Sequence, residues 1–359
     1  MADAPDSALA TALAADLTPW FEGAHRDLTW RRTRDPYAIW VSEIMLQQTR
    51  VETVERYYSN FLARFPTVFA LADADESSVL EAWSGLGYYR RARLLHKGAR
   101  HVRDEHGGVV PDGGKALRAI PGIGRYTSGA IASIAFDRPE PLVDGNVARV
   151  LSRVCGIEEP KKQDAGAAGH WVLTEAILKN GQPRVLAQAL MELGATVCVP
   201  RTPRCESCPI RPHCNAFATE RTAVIPAPKK RTPQPVDRLC GLAVVSRKRL
   251  LMVKRPDEGL LAGMWCLPLV TDEDGPTELG TVFDSPDALD TWRSVGTVRH
   301  VFTHRIWELN VMKTSLARRP KLRPGIETAW VAPGDVPAGG IPGVTTKLLG
   351  VAGFGGCAI

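Results

Sequence analysis

Four cysteines, Cys198, Cys205, Cys208 and Cys214, fall within seventeen residues at the spacing C-x6-C-x2-C-x5-C. Thiols this concentrated serve as ligands of a soft metal centre or as a disulfide framework. Two carboxylates lie elsewhere in informative surroundings. Glu43 stands among Trp40, Val41, Ile44, Met45 and Leu46. On a helix it would face either a solvated stripe or an apolar interior. In the second case desolvation raises its pKa and suits it to general-acid work. Asp144, in PLVDGNVARV (141–150), stands directly before a helical pattern and reads first as its N-cap. Two carboxyls in unlike environments can divide the protonation of a leaving group from the stabilisation of a cation. A third element is LRAIPGIGRYT (117–127). Pro121, Gly122 and Gly124 predict a tight turn, followed by a helix starting near Arg125. Glycine-exposed amides at a helix N-terminus can hold a phosphate oxygen, although an ordinary αα-corner would look similar.

The elements that must carry these residues are mostly helical from about Leu9 to Phe217. Helical apolar spacing runs through 38–65, 77–83, 90–105, 126–136, 145–155, 165–180 and 183–193, with short Gly/Pro stretches between them. The composition then changes. Thr222–Val236 holds Pro226, Pro228, Pro233 and Pro235 beside Lys229, Lys230 and Arg231, which predicts an extended linker. Short β-rich runs follow at 239–245, 250–253, 298–301, 307–311 and 329–331. The predicted organisation is a helical domain over 1–220, a linker over 221–236 and an α+β domain over 237–359.

The first fifteen residues carry Asp3 and Asp6 and no basic start, so no signal peptide is visible, and no apolar run approaches a membrane span. A cytoplasmic protein is expected (nucleoid-associated in a bacterium), with no membrane partner. Thiols stay reduced there, which favours a metal centre over disulfides. The other cysteines, Cys155, Cys240, Cys266 and Cys357, are isolated and read as ordinary small residues. A net charge of +6 permits a polyanionic partner without demanding one. The run Arg90, Arg91, Arg93, Lys97, Arg100, Arg103 reads either as a solvated helix face or as a phosphate contact.

Taken together, the turn, the VDGNV element and the cysteine spacing resemble the helix–hairpin–helix glycosylases of the endonuclease III superfamily. WVSEIMLQQTRV (40–51) and GLGYYRRAR (85–93) resemble its adenine glycosylase branch, the MutY type. Zinc is the default metal of a four-cysteine site; the resemblance implies one [4Fe–4S] cluster instead. It also implies a multi-domain fold, with a mostly α glycosylase core, the iron–sulfur module and an α+β MutT/Nudix-like C-terminal domain. The implied activity is hydrolysis of the N-glycosidic bond of adenine mispaired with 8-oxoguanine or guanine in double-stranded DNA, by a monomer. Glu43 takes the position that protonates adenine at N7. Asp144 takes the one that stabilises oxocarbenium character, supported by Tyr126 and Asn146. Trp30, Arg31, Leu46 and Gln188 match the adenine pocket. Gln47, Gln48, Tyr88, Gly122, Gly124 and Arg125 match DNA contacts, with Gln48 and Tyr88 entering the base stack. Bifunctional relatives carry a lysine where this chain has Tyr126. A phenol forms no Schiff base, so a monofunctional enzyme is expected.

GLLAGMWCLP (259–268) resembles the family's MutT-like domain. No R-E-x-x-E-E helix for Mg²⁺ follows it, only Asp272, Glu273 and Asp274, so nucleotide hydrolysis is not expected. Phe302, Thr303 and His304 match a Phe-Ser-His loop that reads 8-oxoguanine; threonine keeps the hydroxyl and adds a methyl. Three other readings compete. An endonuclease III-type lyase is opposed by Tyr126, and a non-catalytic iron–sulfur DNA binder by the presence of both carboxyls. A nucleotide-pool hydrolase is opposed by the missing metal box.

Overall fold

The computed structural model describes residues 7–158, 168–227, 233–271, 283, 291–319 and 321–355. The helix expected over 165–180 and the linker are thus only partly covered: 165–167, 228–232, Asp272, Glu273, Asp274 and Cys357 lie outside the described residues. In chain order the helices are α1 (Ser7–Ala24), α2 (Pro36–Leu46), α3 (Val51–Arg64), α4 (Val68–Ala72), α5 (Glu76–Ala82), α6 (Arg90–His106), α7 (Gly114–Ala119), α8 (Arg125–Phe136), α9 (Gly145–Cys155), α10 (Ala168–Lys179), α11 (Pro183–Thr196) and α12 (Asn215–Ala218). The strands are β1 (Val236–Ser246), β2 (Arg249–Lys254), β3 (Trp265–Cys266), β4 (Leu269–Thr271), β5 (Arg293–Val301), β6 (Ile306–Leu316) and β7 (Thr328–Val331), followed by α13 (Gly343–Val351). No described helix is long and apolar enough to cross a membrane.

Two compact units form, and they do not follow the chain order. The first holds Met1–Asp73 and Leu94–Lys230; the second joins Ala74–Arg93 to Arg231–Ile359. The helical unit is built on one large core. Leu13 and Leu17 of α1, Ile39 of α2, Ile134 of α8, Val147, Val150, Leu151 and Val154 of α9, Ile177 of α10 and Leu186, Leu190 and Leu193 of α11 pack together. The i, i+3, i+4, i+7 spacing on α9 turns one stripe inward and leaves Arg149 beside it. By contrast, α2 is buried from Tyr37 through Met45, with no solvated stripe. It is capped by Asp35, whose carboxylate accepts from Tyr37 N, with Pro36 in the first turn.

The continuous helix expected over 38–65 is broken. Residues 47–50 separate α2 from α3, and Gln48 adopts the left-handed φ of +59°. No glycine or proline marks this break in the sequence. A left-handed, bulky residue is held against about 1–3 kcal/mol of strain, which is common where a side chain must be presented.

In the second unit the sheet order is β3-β2-β1-β6-β5, with β4 paired to β1 and β7 to β2. β1 and β6 run parallel over eleven residues, from Val236 beside Ile306 to Ser246 beside Leu316; the other pairs are antiparallel. Both faces carry cores. Trp307, Leu309, Val311 and Leu348 lie in one, and Cys240, Leu242, Val244 and Cys266 in the other. Ala74–Arg93 joins this unit through Tyr89, whose hydroxyl donates to Ile341 O at 3.0 Å. The basic run is largely committed to protein partners rather than free for phosphate. Arg91 is buried and donates to Leu86 O and Gly87 O, and Arg93 pairs with Glu76. In the first unit Arg100 donates to Ala72 O, and Arg103 pairs with Asp73 and Asp104.

Candidate active site and cysteine centre

Glu43 lies inside α2 and is only 4 % exposed, which decides against the surface reading. Burial pushes its carboxyl up to about 7; a hydrogen bond from Tyr126 opposes this, the nearby Asp144 charge adds to it, and Arg31 offsets it. The Tyr126 hydroxyl donates to Glu43 Oε2 at 2.8 Å. Burial and the two carboxylates drive the phenol well above its ordinary value, so Tyr126 stays neutral and keeps donating.

Asp144 is an N-cap and also a site residue. Its Oδ1 accepts from Asn146 N at 2.9 Å and Val147 N at 2.7 Å, and its Oδ2 accepts from Asn146 Nδ2 at 3.1 Å. Burial raises its pKa, and these three donors counter that rise. A carboxylate held by a helix N-terminus is fixed in direction and is favoured by the helix dipole. Asn146 is itself oriented by Arg149, which donates to Asn146 Oδ1 at 2.8 Å, to Gly194 O at 2.7 Å and to Cys198 O at 2.8 Å. Gly194 of α11 allows α9 to come this close: a Cβ there would meet Asn146 Cβ at 2.6 Å.

These groups open on one cavity of about 840 Å³, lined by Trp30, Arg31, Glu43, Leu46, Gln47, Gln48, Gly122, Gly124, Arg125, Tyr126, Asp144, Asn146 and Gln188, among others. The structure thus gathers every predicted catalytic and base-pocket residue, together with most predicted DNA contacts, around one space. Tyr88 belongs to the second unit, where it is 46 % exposed and left-handed at φ +51°. Gln47 Nε2 donates to Thr127 Oγ1 at 3.4 Å, and Gln188 Nε2 donates to Arg184 O at 3.0 Å. At the hairpin, Gly122 has φ +86°, and an added Cβ would strike Leu94 Cβ at 2.8 Å. Gly124, the N-cap of α8, has open space where a Cβ would stand, so a ligand backbone could approach closely. The Arg125 guanidinium lies over the Trp171 ring, 3.9 Å from its centroid.

Sequence reasoning missed Glu192 and Arg26. Glu192 of α11 is 1 % exposed. Its carboxylate accepts from Arg26 N, Nε and Nη2 and from Arg31 Nη2, the last at 2.8 Å. Burial alone would raise its pKa, but the two arginines bring it down to about 2. A permanent anion therefore holds Arg31 at the cavity wall. The only signal was a lone acid inside the apolar stripe of α11, whose partners lie far away in the chain. Glu192→Gln is expected to lower stability by about 2–3 kcal/mol, because two guanidiniums lose their counter-charge, one of them half screened by solvent. Melting curves of variant and parent check this; equal midpoints would show that the anion is dispensable.

The four motif cysteines share a second cavity, with Arg153, Val197, Pro203, Arg204, Arg211, Phe217 and Thr222 completing its wall. Cys198 follows α11, Cys205 and Cys208 flank a short 3₁₀ turn, and Cys214 precedes α12. None of them is disulfide-bonded. Among the described residues no three His, Cys, Asp or Glu side chains converge on the point a single ion would occupy. Four sulfurs around one space suit a soft metal centre. Burial, partly offset by the Ile210 backbone hydrogen bond, and the neighbouring sulfurs push the Cys208 thiol up to about 12. Thiolates there need a cationic centre among them. Arg153, 2 % exposed, braces the wall: it donates to Cys198 Sγ at 3.3 Å, to Val199 O at 2.8 Å and to Pro200 O at 2.9 Å.

In the second unit Phe302 is half-buried, while Thr303 and His304 are exposed in the turn between β5 and β6. Tyr88 Oη and Thr303 Oγ1 share a hydrogen bond of 2.9 Å.

A helical unit with a tight hairpin, in which a buried acid shares a cavity with a helix-capping aspartate, followed by a mixed-sheet domain, defines a base-excision repair protein with an appended Nudix domain. Residues 41–172 match the model of the HhH-GPD superfamily base excision DNA repair proteins, and residues 240–350 match the NUDIX domain. The adenine DNA glycosylase of Mus musculus is 35 % identical over 376 residues, covering 88 % of this chain and 73 % of that protein. The human adenine DNA glycosylase is 36 % identical, covering 83 % of this chain and 66 % of that protein. The Arabidopsis thaliana enzyme is 39 % identical, over 71 % and 46 % respectively. The chain therefore spans from under half to about three quarters of the length of these relatives. A solved structure of a thermostable thymine-DNA glycosylase covers 59 % of this chain and 98 % of its own, at 28 % identity and a TM-score of 0.53. The chain belongs to the adenine DNA glycosylase family.

Proposed function

We propose that this chain hydrolyses the N-glycosidic bond of adenine opposite 8-oxoguanine or guanine in duplex DNA, without cutting the strand. The observation that carries this reading is the pair formed by buried Glu43, with its carboxyl near 7, and Asp144, held by the N-terminus of α9, on one cavity with ample room for a base. A base must leave the stack to enter such a cavity, at a cost of a few kcal/mol. Protonated Glu43 gives its proton to N7 of adenine. The bond from the sugar to N9 then breaks, and its electron pair stays on the base. The sugar develops oxocarbenium character, which the fixed Asp144 carboxylate stabilises; water then adds to the sugar carbon and releases a proton, which restores Glu43 to its acid form. Tyr126 and Asn146 orient the two carboxyls. Trp30 and Leu46 supply apolar walls, and Arg31 and Gln188 supply polar ones. Gln48 and Tyr88, each on left-handed backbone, act as wedges, while Gly122, Gly124 and Arg125 hold the phosphate backbone.

The four cysteines would hold one [4Fe–4S] cluster as a structural tie, which the shared cavity and the family both support. The protein would work as a monomer in a reducing compartment. The lesion-reading role of Phe302, Thr303 and His304 rests on their exposed turn and on the family.

The test uses three duplexes, with adenine opposite 8-oxoguanine, guanine and thymine. The first two should be nicked only after hot alkali, and the third should remain intact. Nicking without alkali would assign lyase chemistry to another amine and overturn the argument from Tyr126.

A further inference from the structure

We propose that Gln234 is a positioning residue, which holds the turn Phe302–Arg305 in the shape that reads the base opposite the adenine. This rests on the lesion-reading role proposed above. Gln234 stands in the proline-rich stretch just before β1, where the sequence suggests only a spacer. Its Nε2 donates to Phe302 O at 2.9 Å and to Thr303 O at 2.8 Å. Two carbonyl oxygens at one end of an amide require the nitrogen there, which fixes its orientation. The amide nitrogen carries two N–H donors, enough for one to each carbonyl.

The rest of the turn is tied from other directions. Phe302 N donates to Arg305 O at 2.9 Å and closes it. Ile306 N donates to Pro235 O at 2.9 Å, so the backbone next to Gln234 is anchored at the turn's exit. Arg305 Nη1 and Trp307 Nε1 both donate to Asp237 Oδ2, each at 2.9 Å. The Phe302 ring meets His300 and Trp307 edge to face, at 4.6 and 4.9 Å between centroids. These ties secure the base and the aromatic side of the turn. Only Gln234 fixes the carbonyls at its apex, among the hydrogen bonds described. The apex carries Thr303, whose hydroxyl shares a 2.9 Å hydrogen bond with Tyr88, and His304; both side chains are exposed and must present a fixed face to a ligand. Ordering this backbone in advance removes an entropy cost from recognition. Glutamine suits the task. Glutamate of equal length has no donor and would set a carboxylate against two carbonyls, and asparagine is one methylene too short.

Gln234→Glu, Gln234→Asn and Thr303→Ala in the full chain provide the test. Single-turnover excision of adenine is measured opposite 8-oxoguanine and opposite guanine, alongside the melting midpoint. Loss of one apex hydrogen bond, about 1 kcal/mol, corresponds to about fivefold. Gln234→Glu should therefore lower the 8-oxoguanine-to-guanine rate ratio by about fivefold or more, with the guanine rate and the melting midpoint near those of the parent. Gln234→Asn should lie between them. If both rates fall together with the midpoint, Gln234 is merely structural and the proposal fails. If Thr303→Ala lowers the ratio while Gln234→Glu leaves it unchanged, the clamp is refuted and the turn's reading role stands. If neither variant moves the ratio, both the clamp and the lesion-reading role fall.

Discussion

Asp144→Asn is expected to lose excision by about three orders of magnitude or more while keeping its fold and its affinity for duplex DNA. The reasoning separates two functions of one side chain. As an N-cap, Asp144 offers Oδ1 to the backbone N–H groups of Asn146 and Val147. Asparagine caps about as well, because it keeps a carbonyl oxygen at that position. The melting midpoint should therefore hardly move. What asparagine lacks is the negative charge that stabilises a sugar cation. Alanine would confuse the two effects, since it removes cap and charge together, at about 1 kcal/mol for the cap alone. The measurements are single-turnover excision, gel-shift affinity for the mispaired duplex and thermal melting. Normal turnover in Asp144→Asn would return the residue to a purely structural role. Slow turnover with a collapsed midpoint would mean that the cap, not the charge, was lost.

This double use explains why much of the site was legible in the sequence. The cap reading of Asp144 came from its position before an apolar-periodic helix, and α9 begins at Gly145 as that reading required. The hairpin was legible because Pro121, Gly122 and Gly124 leave few conformations available, and the family motifs then supplied the chemistry. Burial was harder to read. Glu43 could have lain on a solvated stripe, because one helix repeat does not reveal what covers its other side. The answer needed α8 to bring Tyr126 within 2.8 Å, from eighty-three residues away. Glu192 was missed for the same reason, since its arginine partners lie over 160 residues away.

Local backbone exceptions were equally hidden. The break between α2 and α3 carries no glycine or proline, and a left-handed glutamine leaves no compositional trace. β3 and β4, at two and three residues, are too short for a period-2 pattern to register. The association of Ala74–Arg93 with the C-terminal unit rests on tertiary bonds such as Tyr89 to Ile341 O. A reading that divides a chain into consecutive stretches has no means of expressing it. Gln234 belongs to the same class: its role exists only because β6 runs parallel to β1 and brings the β5–β6 turn beside the residue before β1.

Glu43→Gln should abolish adenine excision and yet make the protein more stable above neutral pH. The carboxyl titrates near 7 in the folded chain against an ordinary value of 4.5, chiefly because burial disfavours its charged form. Below about pH 4.5 it is protonated in folded and unfolded chains alike. As pH rises from there towards 7, the unfolded chain releases the proton and the folded chain retains it, so stability falls. Above 7 the buried carboxylate carries the full cost, about 3 kcal/mol for a rise of this size. Glutamine cannot ionise, and its carbonyl can still accept from Tyr126. The variant and the parent should therefore melt together near pH 5 and diverge towards pH 8, with the variant higher. Excision by the parent should fall as pH rises through 7, because the acid form supplies the proton; the variant should stay flat and near zero. A melting difference that is the same at pH 5 and pH 8 would mean that Glu43 is not the buried titrating group. A parent whose rate climbs through pH 7 would reverse its role from acid to base. With the expected fall in rate, the site gives up stability at neutral pH to keep a proton donor in an apolar helix, and the gain in stability on losing that donor measures how much.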